Sequence, residues 1–125
     1  MNWIITFLAL LMSGAVLTAQ SFSVGDEVMG YWEPAKLYYV GTVVEIDNTI
    51  KGSGYRIVFA DNDSAVIPSV RVRPFNLAAG TAVLARWSDG KMYQGKIAKV
   101  VGRAYFIHFD DGDKGWVSSA GIAQR

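Results

Sequence analysis

The chain has 125 residues and no cysteine, with twelve Lys and Arg against eleven Asp and Glu, for a net charge of +1. This length allows one ordinary domain or two very small ones. The missing cysteines exclude a disulfide framework and a thiolate nucleophile, and the near-neutral balance is far from the strongly basic composition that a phosphate backbone selects.

The first 20 residues carry no charged side chain and contain an almost wholly apolar run from Ile4 to Leu11. Small residues follow up to Ala19, which is the order of a secretory signal peptide, and the run is short for a membrane span. We therefore expect residues 1–19 to be a signal peptide and the mature protein to be secreted or periplasmic, with no stable membrane span. Because no Lys or Arg precedes the run, an uncleaved N-terminal anchor or a mis-assigned start are the alternatives.

Two halves of the remaining chain, residues 24–75 and 79–125, repeat one another. Equivalent positions hold the same residues: Trp32 and Trp87, Tyr39 and Tyr93, Phe59 and Phe109, Asp61 and Asp111. The offset between equivalents falls from 55 to 54 to 50 along the unit, and both steps lie in predicted turns, where a duplicated fold accepts insertions. The sequence therefore predicts two copies of one structural unit.

Each unit contains short segments rich in β-branched and aromatic residues, separated by Gly, Asn, Asp or Pro. In the first unit these predicted strands are residues 26–31, 37–46, 55–59, 64–67 and 70–72. In the second they are residues 82–87, 92–100, 104–109 and 114–117, followed by a last turn near Ile122. Short, closely spaced strands without helical periodicity predict an all-β fold of two tandem SH3-like barrels. The join at residues 73–79 is short and apolar, which predicts that the barrels touch.

The second unit carries a specific pattern: Trp87, then Tyr93 and Gly95 six and eight positions later, then Phe-Asp-Asp-Gly at residues 109–112. In this pattern the sequence resembles the Tudor family of SH3-like barrels, in particular tandem Tudor proteins. The resemblance covers essentially all of residues 24–125. It is looser in the first unit, where Phe-Ala-Asp-Asn stands at residues 59–62.

The resemblance implies an aromatic cage, because matching positions in the Tudor family surround methylated Lys or Arg and an acid contacts the ammonium group. It implies these ligand-binding residues: Trp87, Tyr93, Phe109 and Asp111 in the second unit, and Trp32, Tyr39, Phe59 and Asp61 in the first. Each face-on contact between a ring and a cation contributes about 0.5–2 kcal/mol, so binding is expected to be micromolar or weaker. Asp113 and Asp63 stand where a further cage aromatic is common, which opens one wall and makes it more acidic.

Other interpretations of these residues compete with the cage. In so small a barrel the rings also suit a simple core. The acidic run at residues 110–113 matches a tight hairpin turn better than a metal site, because no further ligands follow at a metal-loop spacing. His108 is predicted on the outer face of its strand and lacks a neighbouring serine or cysteine motif. We therefore expect no metal, no cofactor and no enzymatic activity.

We expect the partner to be a protein or peptide with a cationic side chain, or a small quaternary ammonium compound. The alternative is an exported structural or scaffolding protein that binds another protein through barrel surfaces. Four cations near aromatic residues also suit a nucleic acid, although the low net charge speaks against it; they are Lys91, Lys96, Lys99 and Arg103. Trp116, whose counterpart is Val66, is expected either to extend the second binding surface or to pack between the barrels.

Overall fold

A computed structural model describes residues 21–125, and the predicted signal peptide lies outside the described residues. Within this range ten strands form: β1 Glu27–Trp32, β2 Leu37–Asp47, β3 Gly54–Phe59, β4 Ser64–Pro68, β5 Val72–Pro74, β6 Ala82–Arg86, β7 Met92–Val101, β8 Ala104–Phe109, β9 Lys114–Ser118 and β10 Ile122–Gln124. Single-turn 3-10 helices at Ser69–Arg71 and Ser119–Gly121 precede β5 and β10. The all-β prediction is confirmed. No helix among residues 21–125 has the length and apolar character needed to cross a membrane.

The two halves fold into the same barrel. In barrel 1, β1 pairs with β2 and β5, β2 with β3, and β3 with β4. Barrel 2 repeats these antiparallel pairings with β6 to β10. Both long strands change register at the same point, between Val43 and Glu45 in β2 and between Ile97 and Lys99 in β7. Such a bulge bends a strand, which lets it serve both sides of a small barrel.

The glycine of each Tyr-x-Gly motif is required by close backbone packing. A Cβ added to Gly95 would lie 2.8 Å from the carbonyl oxygen of His108, and one added to Gly41 would collide with Ile57. Any side chain at these positions would push β7 away from β8, or β2 away from β3. The glycine of the motif is therefore required by the close packing of neighbouring strands.

Strand β10 joins the two barrels. Ala123 pairs with Leu84 of β6 on one side and with Tyr39 of β2 on the other, so the strands of both barrels run on in one sheet. The sequence predicted only a turn near Ile122, which was wrong. Three residues are too few to show alternation, and two open strand edges supply the hydrogen bonds that make this segment extended.

The cores of the two barrels meet at this joint. The core of barrel 1 consists of Val28, Val43, Tyr55, Ile57, Phe59, Ile67 and Val72. The core of barrel 2 contains residues of β6 to β10 and also Met29 and Val40 of barrel 1 and Leu77 of the join. Burying one such side chain contributes about 1.5–3 kcal/mol, so each barrel stabilises the other. The prediction that the barrels touch is confirmed.

An arginine reinforces the joint from the surface. The guanidinium of Arg73, in β5, lies 3.5 Å from the centre of the Tyr38 ring in β2. It also donates a hydrogen bond of 2.8 Å to the backbone carbonyl of Arg125, just after β10. A cation over a ring face is attracted by the ring quadrupole, so Arg73 ties the end of barrel 1 to the last strand of barrel 2.

Candidate functional site

The four predicted residues of the first unit line one cavity. Trp32 ends β1, Tyr39 lies in β2, Phe59 ends β3, and Asp61 follows in the turn to β4. They surround a cavity of about 120 Å³ together with Ala35, Asp63 and Arg86. We call Trp32, Tyr39, Phe59 and Asp61 box 1. The fold therefore brings together every residue that the resemblance implied for the first unit.

The rings of box 1 have different roles. Phe59 is 4% exposed and belongs to the core of barrel 1. Trp32 is half-buried and packs edge to face on Phe59, with ring centres 5.5 Å apart and planes at 74°. Tyr39 is also half-buried. Phe59 thus fixes the position of Trp32, and Trp32 and Tyr39 are the rings with surface left for a ligand.

Two carboxylates and one guanidinium stand at the rim of box 1. The side chain of Asp61 accepts a hydrogen bond of 3.1 Å from the backbone N–H of Asp63, which fixes its direction in the turn. Arg86 reaches the cavity from β6 of the other barrel, and it donates a hydrogen bond of 2.7 Å to the carbonyl of Gly90. Box 1 is therefore bordered by barrel 2. The carboxylates of Asp61 and Asp63 and the guanidinium of Arg86 all line the same cavity.

The four residues of the second unit, which we call box 2, are divided between two surfaces. Trp87 packs edge to face on Phe109 at 5.2 Å and 83°, and Phe109 is 5% exposed, as in box 1. Both line a groove of about 590 Å³, but Tyr93 and Asp111 are not among the residues that line it. Tyr93 is 39% exposed. The structure therefore keeps the Trp and Phe pair of box 2 and separates it from the other two residues.

Tyr93 has a carboxylate partner that the sequence analysis missed. Its hydroxyl donates a hydrogen bond of 2.6 Å to Asp89. This bond, with a second one from the backbone N–H of Lys91, holds the pKa of Asp89 below its ordinary value. The same bond is the main reason why the pKa of Tyr93 is raised, and the charge of Asp111 adds a smaller effect. The phenol of Tyr93 is thus already bound to an acid of the β6–β7 hairpin.

The groove beside Trp87 owes its shape to residues of β9 and the second 3-10 turn. Trp116 lines it and is 52% exposed, so Trp116 extends this surface and does not pack between the barrels. A Cβ added to Gly115 would lie 3.2 Å from Trp87 Cζ3, so a glycine there lets the Trp87 ring approach β9. We call this surface the β9 groove. Its signal in the sequence was Trp116, the aromatic residue without a counterpart.

Barrel 1 has an equivalent groove of about 440 Å³ that is bordered by one of its arginines. This groove lies between the end of β1 and β4, and Arg71 is part of its lining. The guanidinium of Arg71 lies 4.5 Å from the centre of the Tyr31 ring and forms an ion pair of 2.8 Å with Glu33. The position equivalent to Arg71 in barrel 2 is Gly121. The β9 groove is therefore the more open of the two.

The remaining candidate residues lie in turns or on outer faces. Asp111 accepts a hydrogen bond of 2.9 Å from the N–H of Asp113 within the β8–β9 turn, and Gly112 there has a φ of 97°. In the part of the chain that the structure describes, no group of three or more His, Cys, Asp and Glu is arranged to hold a metal ion. His108 is exposed on β8, as the alternation of its strand predicted.

The comparisons with known proteins identify the fold. No model of a protein family matches the sequence, and no curated protein sequence matches it either. The crystal structure of the Crb2 tandem Tudor domains is similar, with a TM-score of 0.62 over 85% of this chain and 82% of that chain, at 13% sequence identity. The fold is thus a pair of tandem Tudor-like barrels, as the pattern around Trp87 predicted.

Proposed function

We propose that this protein is a non-catalytic binding module that recognises a cationic group in box 1, either a methylated lysine or arginine side chain or a small quaternary ammonium compound. The observation that carries the proposal is the cavity lined by Trp32, Tyr39, Phe59 and Asp61. In the sequence, box 2 resembles the Tudor pattern more closely than box 1 does. Box 1 is nevertheless the stronger candidate, because its four residues share one cavity.

The chemistry of box 1 favours an alkylated cation. The faces of Trp32 and Tyr39 attract positive charge and also remove methyl groups from water. Asp61 and Asp63 supply negative charge at the rim, and both are exposed, so their attraction is screened by solvent and salt. We expect weak binding that depends mainly on the rings and secondarily on the acids.

A titration of the purified chain tests the proposal. Trimethyllysine peptide and choline are added while tryptophan fluorescence is followed, and calorimetry confirms the affinity. The matched variants are Asp61→Asn and Asp111→Asn, because each amide keeps the shape of an exposed turn residue at an equivalent position. We expect Asp61→Asn to weaken binding about threefold and Asp111→Asn to leave it unchanged. An absence of binding by the wild-type chain, or equal losses in the two variants, would reject box 1 as the site. Because Asp61 also lines the groove beside Trp87, an equal loss in Trp32→Ala and Trp87→Ala would reject it too.

A second candidate function rests on the β9 groove. Its lining is mostly apolar and includes Trp87, Phe109, Trp116 and Val117, and exposed aromatic surface of this kind suits contact with another protein. In this case the chain acts as a structural or scaffolding protein. A binding partner retained by Trp32→Ala and lost by Trp116→Ala would favour this function over the recognition of a cation.

We also propose that the mature chain is exported, on the strength of the apolar segment between Ile4 and Leu11. Sequencing the N-terminus of the protein isolated from its natural source tests this directly. A mature chain that begins near Gln20 and lies outside the cytoplasmic fraction is expected. Recovery of the intact N-terminus with membranes would favour the uncleaved anchor instead.

A further inference from the structure

The outer face of barrel 2 carries two rows of side chains that run across strands β7, β8 and β9. Residues paired directly across these strands point to the same side of the sheet, and neighbouring strands lie about 4.8 Å apart. The paired side chains are Lys96, His108 and Lys114 in one row, and Lys99, Phe106 and Trp116 in the other. We call this surface the cationic face.

The aromatic residues of the cationic face form an exposed ledge. Trp116 leans on Phe106 with ring centres 5.0 Å apart, and Phe106 packs against the His108 ring at 5.5 Å. The two rings are tilted by 45° and half of Trp116 is open to solvent, so Phe106 supports the indole and leaves much of its surface accessible. An accessible indole face supported in this way is a platform on which a planar ring can stack.

The lysines of the cationic face are not neutralised within the fold. The ion pairs among residues 21–125 all involve arginine, and none involves Lys96, Lys99 or Lys114. The four acids of residues 76–125 lie in turns, with Asp89 between β6 and β7 and the other three in the turn at residues 110–113. The face is thus locally cationic although the whole chain has a net charge of only +1.

Barrel 1 shows that the fold itself does not require this surface. At the equivalent positions the first row is Thr42, Val58 and Ser64, and the second row is Glu45, Arg56 and Val66. Glu45 and Arg56 form an ion pair of 2.9 Å. The same strands therefore fold without a cationic row and without exposed rings, so the fold requires neither of them in barrel 2.

The structure also revises which cations act together. Lys91 lies in the β6–β7 hairpin, and Arg103 lies in the β7–β8 turn, where it pairs with Glu27 at 3.2 Å. Of the four cations singled out in the sequence, only Lys96 and Lys99 lie in the two rows of the cationic face. Lys114 and Trp116 of β9 complete that surface, and both become its neighbours only through strand pairing.

We propose that the cationic face binds single-stranded nucleic acid, with phosphates on the lysine positions and a base stacked on Trp116. Lysine rows beside an exposed aromatic ring match a polymer that alternates anionic groups and planar rings. A duplex keeps its bases stacked on each other, so it offers no free base to Trp116 and binds more weakly. The three lysines predict a slope of about −2 for log K against log salt concentration, at about −0.7 per phosphate on a single strand.

Fluorescence anisotropy of a labelled single-stranded oligothymidylate, titrated with the purified chain, tests this proposal. Trp116→Ala is expected to weaken binding about tenfold, and a triple change of Lys96, Lys99 and Lys114 to Gln to abolish it and its salt dependence. The matched control changes Lys36, Lys51 and Lys91 to Gln, which removes the same charge from three turns elsewhere. This control is expected to retain most of the affinity.

Three outcomes would overturn the proposal. The first is an absence of binding by the wild-type chain at low salt. The second is an equal loss in the two triple variants, which would indicate a general effect of charge. The third is binding to vesicles of phosphatidylglycerol and phosphatidylcholine without binding to the oligonucleotide, which would assign the face to anionic lipid. Circular dichroism of each variant shows that the folded state is kept, and all substituted side chains are exposed.

Discussion

Box 1 and box 2 contain the same four residue types at equivalent positions, yet only box 1 surrounds a single cavity. The difference arises from what lies next to each barrel. The first half of β2, which carries Tyr39, pairs with β10, and β6 brings Arg86 to the rim. The equivalent half of β7 has no such neighbour among the described strands, and Tyr93 bonds to Asp89. Identical residues are therefore given different surroundings by their neighbours.

The largest expected effect is a loss of stability at the contact between the two barrels. Met29→Ala is expected to lower the free energy of unfolding by about 2–5 kcal/mol, because Met29 is fully buried in the core of barrel 2 although it belongs to barrel 1. Urea denaturation followed by fluorescence and by circular dichroism measures this. We expect one transition in both signals. Two separate transitions, with barrel 2 unaffected, would show that the barrels unfold independently.

The next effect separates the two boxes directly. Trp32→Ala is expected to weaken the binding of trimethyllysine peptide about tenfold, whereas Trp87→Ala is expected to change it less than twofold, since one ring face contributes about 0.5–2 kcal/mol. Both indoles pack on a buried phenylalanine at similar distances, so the two variants control for each other's effect on folding. Calorimetry with both purified variants gives the comparison. A larger loss in Trp87→Ala would move the site to box 2.

A smaller effect tests the contribution of barrel 2 to box 1. Arg86→Ala is expected to strengthen cation binding about threefold, because a guanidinium at the rim repels a second cation across solvent. Arg103→Ala, which removes a cation paired with Glu27 at the β7–β8 turn, is the charge-matched control and should leave the affinity unchanged. The same titration reports both. Weaker binding in Arg86→Ala would mean that the arginine supports the cavity and does not oppose the ligand.

The smallest effect is a change in titration behaviour at box 2. Tyr93→Phe removes the main cause of the lowered pKa of Asp89, so that pKa is expected to rise toward its ordinary value. Because the pKa is lowered in the folded state, the interaction stabilises above the unfolded pKa and is lost as pH falls through the folded value. Carboxyl NMR of Asp89 between neutral and acid pH measures the shift. An unchanged titration curve would contradict the bond between the two side chains.

Local patterns in the sequence were sufficient to predict the two barrels. Alternation placed His108 on the outer face of β8, and Tyr105, Ile107 and Phe109 are buried on the opposite face. These features depend on neighbours within one unit. The sequence also singled out the three rings of box 1 and Asp61, which the structure places around one cavity, and their role in binding stays a prediction.

Features that depend on docking between the units could not be read from the sequence. Strand β10 is extended because two edges meet beside it, and Arg86 reaches box 1 because its strand lies next to β10. Nothing in the residues around Arg86 indicates a distant cavity. The bond between Tyr93 and Asp89 lies within one hairpin, and it was missed for a different reason, because that hairpin differs in length between the units.

The position of β10 late in the chain has a consequence for the order of assembly. The four side chains of box 1 all precede residue 62, whereas the adjoining β6 and β10 follow only when residues up to Gln124 have been synthesised. A chain that stops before β10 therefore lacks the strand that pairs with Tyr38 and Tyr39 of β2. Loss of the last few residues would therefore be felt in barrel 1 as well as in barrel 2, because both barrels pair with β10.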